Sequence, residues 1–400
     1  MFRVLRRKWL RDLLLTAALL AATAALVAAP SQAIEGAKNG LALCGNVIIP
    51  SLFPFFVLSA LVVDLGLAGH LGRALEGIMR PLFNVPGACA PALALGFVGG
   101  YPVGARTALQ LYQKGMCTKT EAERLLAFCN NSGPAFILGV VGAGVFASSK
   151  VGVLLYLAHA AASVCVGLVF RFYKAGKRRG EPRRVGPRFE AARFTAAFTG
   201  AIRDSFSVTG ALSSTLNICA FVVFFTVVIR LFFLSGVLPG LAGLLGRLLG
   251  PLGFSRAWAE RLLTGFFEIS SGVWTLSGEG DMAGRMSMAA FMLGWAGLSV
   301  HCQVLSFLGG SGLSARTYIL GKMLHGGLSA LFVGLLARLF PLEAPVSSYL
   351  ADQVESLSAL DFSTALTIST VCAWVLWLLF FTAALAAVRK TSRKRRKAVL

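Results

Sequence analysis

The chain has 400 residues, 56% hydrophobic and only 14% charged, with a mean hydropathy of +0.74. That profile excludes an ordinary soluble enzyme and points to a polytopic membrane protein. The net charge of +21 invites a nucleic-acid reading, but the basic residues lie in a few blocks between apolar stretches. This is the pattern of positive-inside topology, so the lipid bilayer is the expected partner and nucleic acid is not.

Residues 1–11 carry Arg3, Arg6, Arg7, Lys8 and Arg11, and an apolar run follows from Leu13 to Ala29. Pro30-Ser31-Gln32-Ala33 then fits a signal-peptide cleavage site as well as the end of a retained helix. The retained helix is favoured, and both readings put residue 35 outside. Residues 41–63 form the next span, with kinks predicted at Pro50 and Pro54. Residues 67–82 are too polar to cross; their apolar residues share one face, opposite Arg73 and Arg80, which predicts an interfacial helix.

Residues 88–113 hold two apolar arms around Gly99-Gly100-Tyr101-Pro102-Val103-Gly104. Each arm is too short to cross a bilayer, which takes about 20 helical residues, so a re-entrant hairpin is expected. Thr118 and Thr120 are candidate N-caps for a helix starting near Glu121. Residues 125–146 span with an interruption at Asn130-Asn131-Ser132-Gly133-Pro134, and 151–170 span back. The linker 171–204 has ten basic residues against Glu181, Glu190 and Asp204.

The second part repeats this order. Residues 209–234 span; 241–253 are short and amphipathic; 256–280 contain the polar break Gly265-Phe266-Phe267-Glu268-Ile269-Ser270-Ser271-Gly272. Residues 287–308 span with an interruption at 297–303, and 318–340 span again. Residues 341–361 are acidic, 363–387 form the last span, and a basic tail closes the chain. Short matches support a repeat, among them Leu71-Gly72-Arg73 with Leu245-Gly246-Arg247, and Ser132 with Ser299.

Charge orients these pieces. If both hairpins return to the side they enter from, the two termini, 114–124 and 171–204 are cytoplasmic and 341–361 is outside. The expectation is an all-α polytopic membrane protein of eight full spans and two re-entrant hairpins. Its units are an N-terminal helix (1–39), a first repeat (40–172), a basic cytoplasmic linker (173–206), a second repeat (207–340), and a loop, helix and tail (341–400). The repeats are inverted, and their hairpin tips and broken spans meet near the midplane, as in secondary transporters.

Breakers and polar groups inside membrane-type sequence survive where they are packed in protein or line a polar cavity. The candidate solute-binding residues are therefore Gly100, Tyr101, Pro102, Asn130, Asn131, Ser132, Glu268, Ser270, Ser271, Ser299, His301 and Gln303. Asn130, Asn131 and Ser132 offer donors and acceptors for an uncharged polar solute or for Na⁺; the competing reading is inter-helix hydrogen bonding. Glu268 is the sharpest candidate, either as a coupling or solute group or as the cap of a half-helix. Arg106, close behind the first tip, is a candidate partner for it. The eight cysteines contain no CxxC pair and the four histidines no metal-ligand spacing, so neither a metal site nor a cofactor is expected. Coupling to H⁺ or Na⁺ stays open, as does a homo-oligomer.

GGYPVGA at 99–105, NNSGP at 130–134, GFFEISSG at 265–272 and GLSVHCQV at 297–304 resemble the YlbJ family of sporulation integral membrane proteins. That family lies within the wider nucleoside-recognition, or Gate-domain, membrane proteins, with concentrative nucleoside transporters as more distant relatives. The resemblance spans roughly residues 40–340. It implies that hairpin tips and broken spans line a solute site, and it implies a role in endospore formation. Three functions are weighed: a transporter of a small polar solute, a non-transporting factor for spore envelope or cortex assembly, and an intramembrane enzyme. The enzyme is set aside because the sequence offers no nucleophile–base pair or metal set.

Overall fold

The computed structural model describes residues 2–50, 53–54, 56–57, 67–175, 206–278, 281–339, 367 and 371. Residues 176–205 of the basic linker, the acidic loop, the C-terminal tail, part of the span expected at 41–63 and nearly all of that expected at 363–387 lie outside the described residues. The regular structure of the described residues is all helical, with no strand among them.

The first half begins with α1 (Phe2–Ala28) and α2 (Pro30–Leu43), which meet at a 99° bend. Proline at the first helical position explains why α2 starts there. The sequence reading gave this segment no helix. In the structure, α2 packs along α8 (Phe206–Leu234). Gly36 and Gly40 are spaced four apart and face Val227 and Val223; a Cβ on Gly40 would stand 2.8 Å from the Val223 Cα. Small residues at this spacing let two membrane helices approach closely. Gln32 and Glu35 both accept from Arg230 of α8.

Next come the expected amphipathic helix α3 (Leu67–Phe83), then α4 (Ala90–Gly99) and α5 (Val103–Gln113), which form the first hairpin. α6 (Lys119–Leu126) starts at a capping box. Thr118 Oγ1 accepts the Glu121 N–H at 3.3 Å, and Glu121 Oε2 accepts the Thr118 N–H at 2.8 Å. Of the two threonines considered, Thr118 is the cap. After a non-helical turn, the chain resumes as a π-helical segment, Ala135–Val145, so the span expected at 125–146 is broken at the predicted place. α7 (Ser149–Phe170) returns.

The second half has α8, the amphipathic α9 (Val237–Leu249), and a hairpin of α10 (Arg256–Phe267) and α11 (Ile269–Trp274). A broken span of α12 (Met282–Trp295) and α13 (Gly297–Leu308) follows, then α14 (Ala315–Leu339). Among the described residues, four stretches are long and apolar enough to cross a membrane: Ser149–Phe170, Ala211–Leu234, Met282–Leu308 and Ala315–Leu339. The chain is thus an all-α polytopic membrane protein with a hairpin and a broken helix in each half. α14 joins the halves by packing on both α12 and α7, and Gly321 sits against the Ala127 carbonyl.

One boundary differs from the sequence reading. The second break falls at Ala296 and Gly297, with φ of 77° and 78°, not across 297–303. Ser299, His301 and Gln303 lie on helical turns of α13. Left-handed backbone needs only two residues here, and the polar side chains beyond it are compatible with helix.

Candidate functional site: a buried polar network between the halves

Each hairpin tip packs on the break of its own half. In the first hairpin, a Cβ on either Gly96 or Gly104 would lie 1.9 Å from the Cys129 carbonyl oxygen. Gly100, at φ 76°, would place one 3.0 Å from the Gly133 nitrogen. In the second hairpin, a Cβ on Gly272 would meet the Gly265 Cα at 2.2 Å. One on Gly297 would stand 3.1 Å from the Ile269 nitrogen, directly beside Glu268. Backbone contact this close is possible only where side chains are absent.

Between the breaks runs a hydrogen-bond network. Asn130 Nδ2 donates to the Tyr318 hydroxyl at 3.4 Å, and that hydroxyl lies 2.9 Å from His301 Nδ1. We assign the tautomer in which the hydroxyl, accepting from Asn130, donates to Nδ1, which places the His301 proton on Nε2. Lys322 Nζ donates to the Asn130 carbonyl at 2.9 Å and to His325 Nδ1 at 3.3 Å. His325 Nε2 donates to the His159 carbonyl at 2.9 Å. The Ser132 N–H donates to His159 Nε2 at 3.0 Å. The His159 and His325 rings lie 4.2 Å apart. Every one of these side chains is buried.

Asn130 Oδ1, Asn131 Oδ1 and His301 Nε2 are buried polar atoms of this cluster with no hydrogen-bond partner among the described residues. Each such atom costs about 1–3 kcal/mol if left unmet. Chemically they offer two amide acceptors and, by the tautomer above, one N–H donor. His301 is braced from the second hairpin: Trp295 stands edge-on to it at 4.2 Å and stacks on Phe266 at 5.0 Å.

The structure brings some of the sequence candidates together and leaves others apart. Asn130, Ser132 and His301 belong to the network, and Asn131, also buried, donates from Nδ2 to the Phe128 carbonyl at 3.0 Å. Gly100 and Pro102 shape the first tip, and the Tyr101 hydroxyl crosses to the second half, donating to the Leu293 carbonyl at 3.0 Å. Gln303 and Ser299 bond to each other at 3.4 Å on α13. Glu268 caps α11, accepting from the Ser270 N–H at 2.9 Å and the Ser271 N–H at 2.7 Å. Ser271 itself lines a cavity of about 380 Å³ between α2 and α8, together with Gly36, Asn39 and Arg230. Arg106 lies with its guanidinium over the rings of Phe56 and Phe307, at 5.3 and 5.8 Å.

Sequence reasoning missed Tyr318, Lys322 and His325. They recur at i, i+4 and i+7 on one buried face of α14, a span with no breaker to draw attention to it. A lysine inside an apolar span was the available signal.

Compared with known proteins, the chain is 31% identical over 368 residues to the sporulation integral membrane protein YlbJ of Bacillus subtilis (strain 168), covering 89% of this chain and 90% of that one. The chain belongs to the YlbJ family. Residues 47–170 also match the family model Gate, described as nucleoside recognition. A shorter match of 30% identity over 98 residues joins this YlbJ-family chain to an uncharacterized protein of Alkalihalophilus pseudofirmus; it covers 24% of this chain and 21% of that one. Two structures of CNTnw align over 82% of this chain and 86% of theirs. The inward-facing substrate-bound state gives a TM-score of 0.41 at 16% identity, and a doubly substituted variant in an outward-facing state gives 0.40 at 17%.

Proposed function

We propose that this YlbJ-family protein binds and moves a small polar solute, nucleoside-like in its hydrogen-bonding, through a midplane site between the two halves, in the membrane of a spore-forming cell. The observation that carries this reading is the set of buried atoms Asn130 Oδ1, Asn131 Oδ1 and His301 Nε2, drawn from both halves beside two helix breaks. A protein serving only as a scaffold gains nothing from such groups, each of which costs stability. The nucleoside-recognition description of the Gate model and the sporulation in the name of the Bacillus relative support the class of solute and the setting. Gly100, Tyr101 and Pro102 shape the site; Ser132, Ser299 and Gln303 position its walls; and Glu268, with Ser270 and Ser271, holds the second tip.

The protein in this reading is not an enzyme. Both termini are cytoplasmic and the repeats are inverted. Cysteines introduced into 171–204 then resist a membrane-impermeant thiol reagent added from outside; labelling there refutes the inverted arrangement.

Proteoliposome uptake tests the function. Wild type is expected to accumulate at least one member of a panel of nucleosides and other polar metabolites, and Asn130→Ala and His301→Phe to lose that uptake. A wild type without flux across the panel sinks the transport reading, leaving a non-transporting role in envelope or cortex assembly.

A further inference from the structure

Lys322 sits where a membrane transporter of broken helices presents carbonyl oxygen to a cation. The Asn130 carbonyl lies past the end of α6, in backbone unwound by the first break, and such carbonyls are the usual ligands of a coupling ion. Here the ligand on that oxygen is an ammonium. Lys322 Nζ reaches the Asn130 carbonyl at 2.9 Å and His325 Nδ1 at 3.3 Å, and lies 5.4 Å from the centre of the Tyr101 ring, over its face. Carbonyl, imidazole nitrogen and aromatic face are three acceptors for the three N–H groups of an ammonium. The side chain is 1% exposed, and among the described residues no carboxylate pairs with it. The carboxylate at the second tip, Glu268, accepts from the Ser270 and Ser271 N–H groups of α11.

We infer that Lys322 is a tethered counterpart of a coupling cation: its ammonium holds the first break in shape, and the protein needs no Na⁺ to do so. The inference rests on the proposed solute site and deepens it by naming what organises it. A compact point charge with three donors on a flexible stem is suited to this place, and a planar guanidinium is not. The break, the hairpin tip at Tyr101 and α14 then form one electrostatic unit with the cation covalently supplied.

The test reads stability, so it can fail while uptake persists, and uptake can fail while it succeeds. Thermal unfolding of the purified protein in detergent is compared in NaCl and in choline chloride at equal ionic strength. Wild type is expected to unfold at the same temperature in both salts. Lys322→Ala, which removes the charge and opens space, is expected to unfold lower in choline and to recover in sodium. Lys322→Met, which removes the charge and fills the space, is expected to unfold lower in both. Stabilisation of wild type by sodium over choline overturns the inference, and so does a Lys322→Ala variant that shows no sodium-specific recovery. Should that variant fail to fold, equilibrium binding of radioactive Na⁺ to wild type decides: no saturable binding is expected, and saturable binding refutes it.

Discussion

The Tyr318 hydroxyl and Nδ1 of His301 share a hydrogen bond at 2.9 Å, so Nε2 is the ring nitrogen left without a partner among the described residues. Tyr318 comes from α14 and His301 from the half-helix after the second break; Asn130, on the other side of the hydroxyl, comes from the first break. One phenolic oxygen thus couples the breaks of both halves.

Tyr318→Phe removes the acceptor of Asn130 Nδ2 and the donor to His301 while keeping the ring. The expected loss of stability is about 1–3 kcal/mol, the cost of buried groups left unmet. Because His301 is then free to place its proton on Nδ1, uptake should fall further than the folded fraction does. Thermal unfolding and proteoliposome flux on one preparation check this. Unchanged flux in a folded Tyr318→Phe would detach the tyrosine from the site.

Glu268 shows how a carboxylate at depth can be met without a solute. Its two oxygens satisfy the first free N–H groups of α11, and at a helix N-terminus a negative charge is also favoured by the dipole. Glu268→Ala should cost about 1–2 kcal/mol, the range for loss of an N-cap. Glu268→Gln keeps one acceptor oxygen and should cost less. Chemical or thermal unfolding of the two variants gives the ranking; a glutamine variant as unstable as the alanine variant would mean that the charge, and not the cap geometry, holds the second tip.

The breaks were legible in the sequence because glycine, proline and paired amides in an apolar context leave few physical options. Gly100, Asn130–Pro134 and Glu268 all fall at the expected places. The site was half legible. Polar side chains at breaks stand out, whereas Lys322 and His325 ride on an uninterrupted helix whose mean character is apolar, and only the charge of the lysine and their shared face mark them. The helix after Ala29 is not marked in the sequence, because Pro-Ser-Gln-Ala fits the end of a retained helix as well as a cleavage site. The Gly36 and Gly40 spacing, which seats α2 against α8, is a packing signal that a search for membrane spans passes over.

Glycine substitutions should separate rigid from yielding contacts. A Cβ at residue 96 or 104 meets a backbone oxygen at 1.9 Å, so the hairpin must open; the expected loss is about 3 kcal/mol or more. A Cβ at residue 265 meets the flexible side chain of Met292, with the sulfur at 2.5 Å, and should cost less. At Gly243 nothing lies within 4 Å, and alanine in this helix should gain up to about 1 kcal/mol. Unfolding temperatures of Gly96→Ala, Gly104→Ala, Gly265→Ala and Gly243→Ala should rise in that order, with the first two near-equal; a well-folded Gly96→Ala would contradict the close packing of tip on break.

Glu123, midway along α6, gives the fold an acid-sensitive tie. Its buried carboxylate accepts from Lys174 Nζ at 3.0 Å, from the Tyr173 hydroxyl at 3.1 Å and from the Ser314 N–H at 3.0 Å, joining α6 to the end of α7 and the start of α14. Burial alone would push the carboxyl up, but the bonds from Lys174, Ser314 and Tyr173 together hold it below its ordinary value of 4.5. A group depressed on folding contributes stability that is fully present above its unfolded value and is lost as pH falls through the folded one. Wild type should therefore hold a level Glu123 contribution from about pH 5 to neutrality and lose it only in acid below the ordinary carboxylate range. Glu123→Gln should be less stable than wild type across about pH 5–8, and the gap should close as the pH is lowered further. Unfolding temperatures of both proteins from about pH 3 to 8 test the sign; a gap that widens in acid would show that the carboxylate is held above, and not below, its ordinary value.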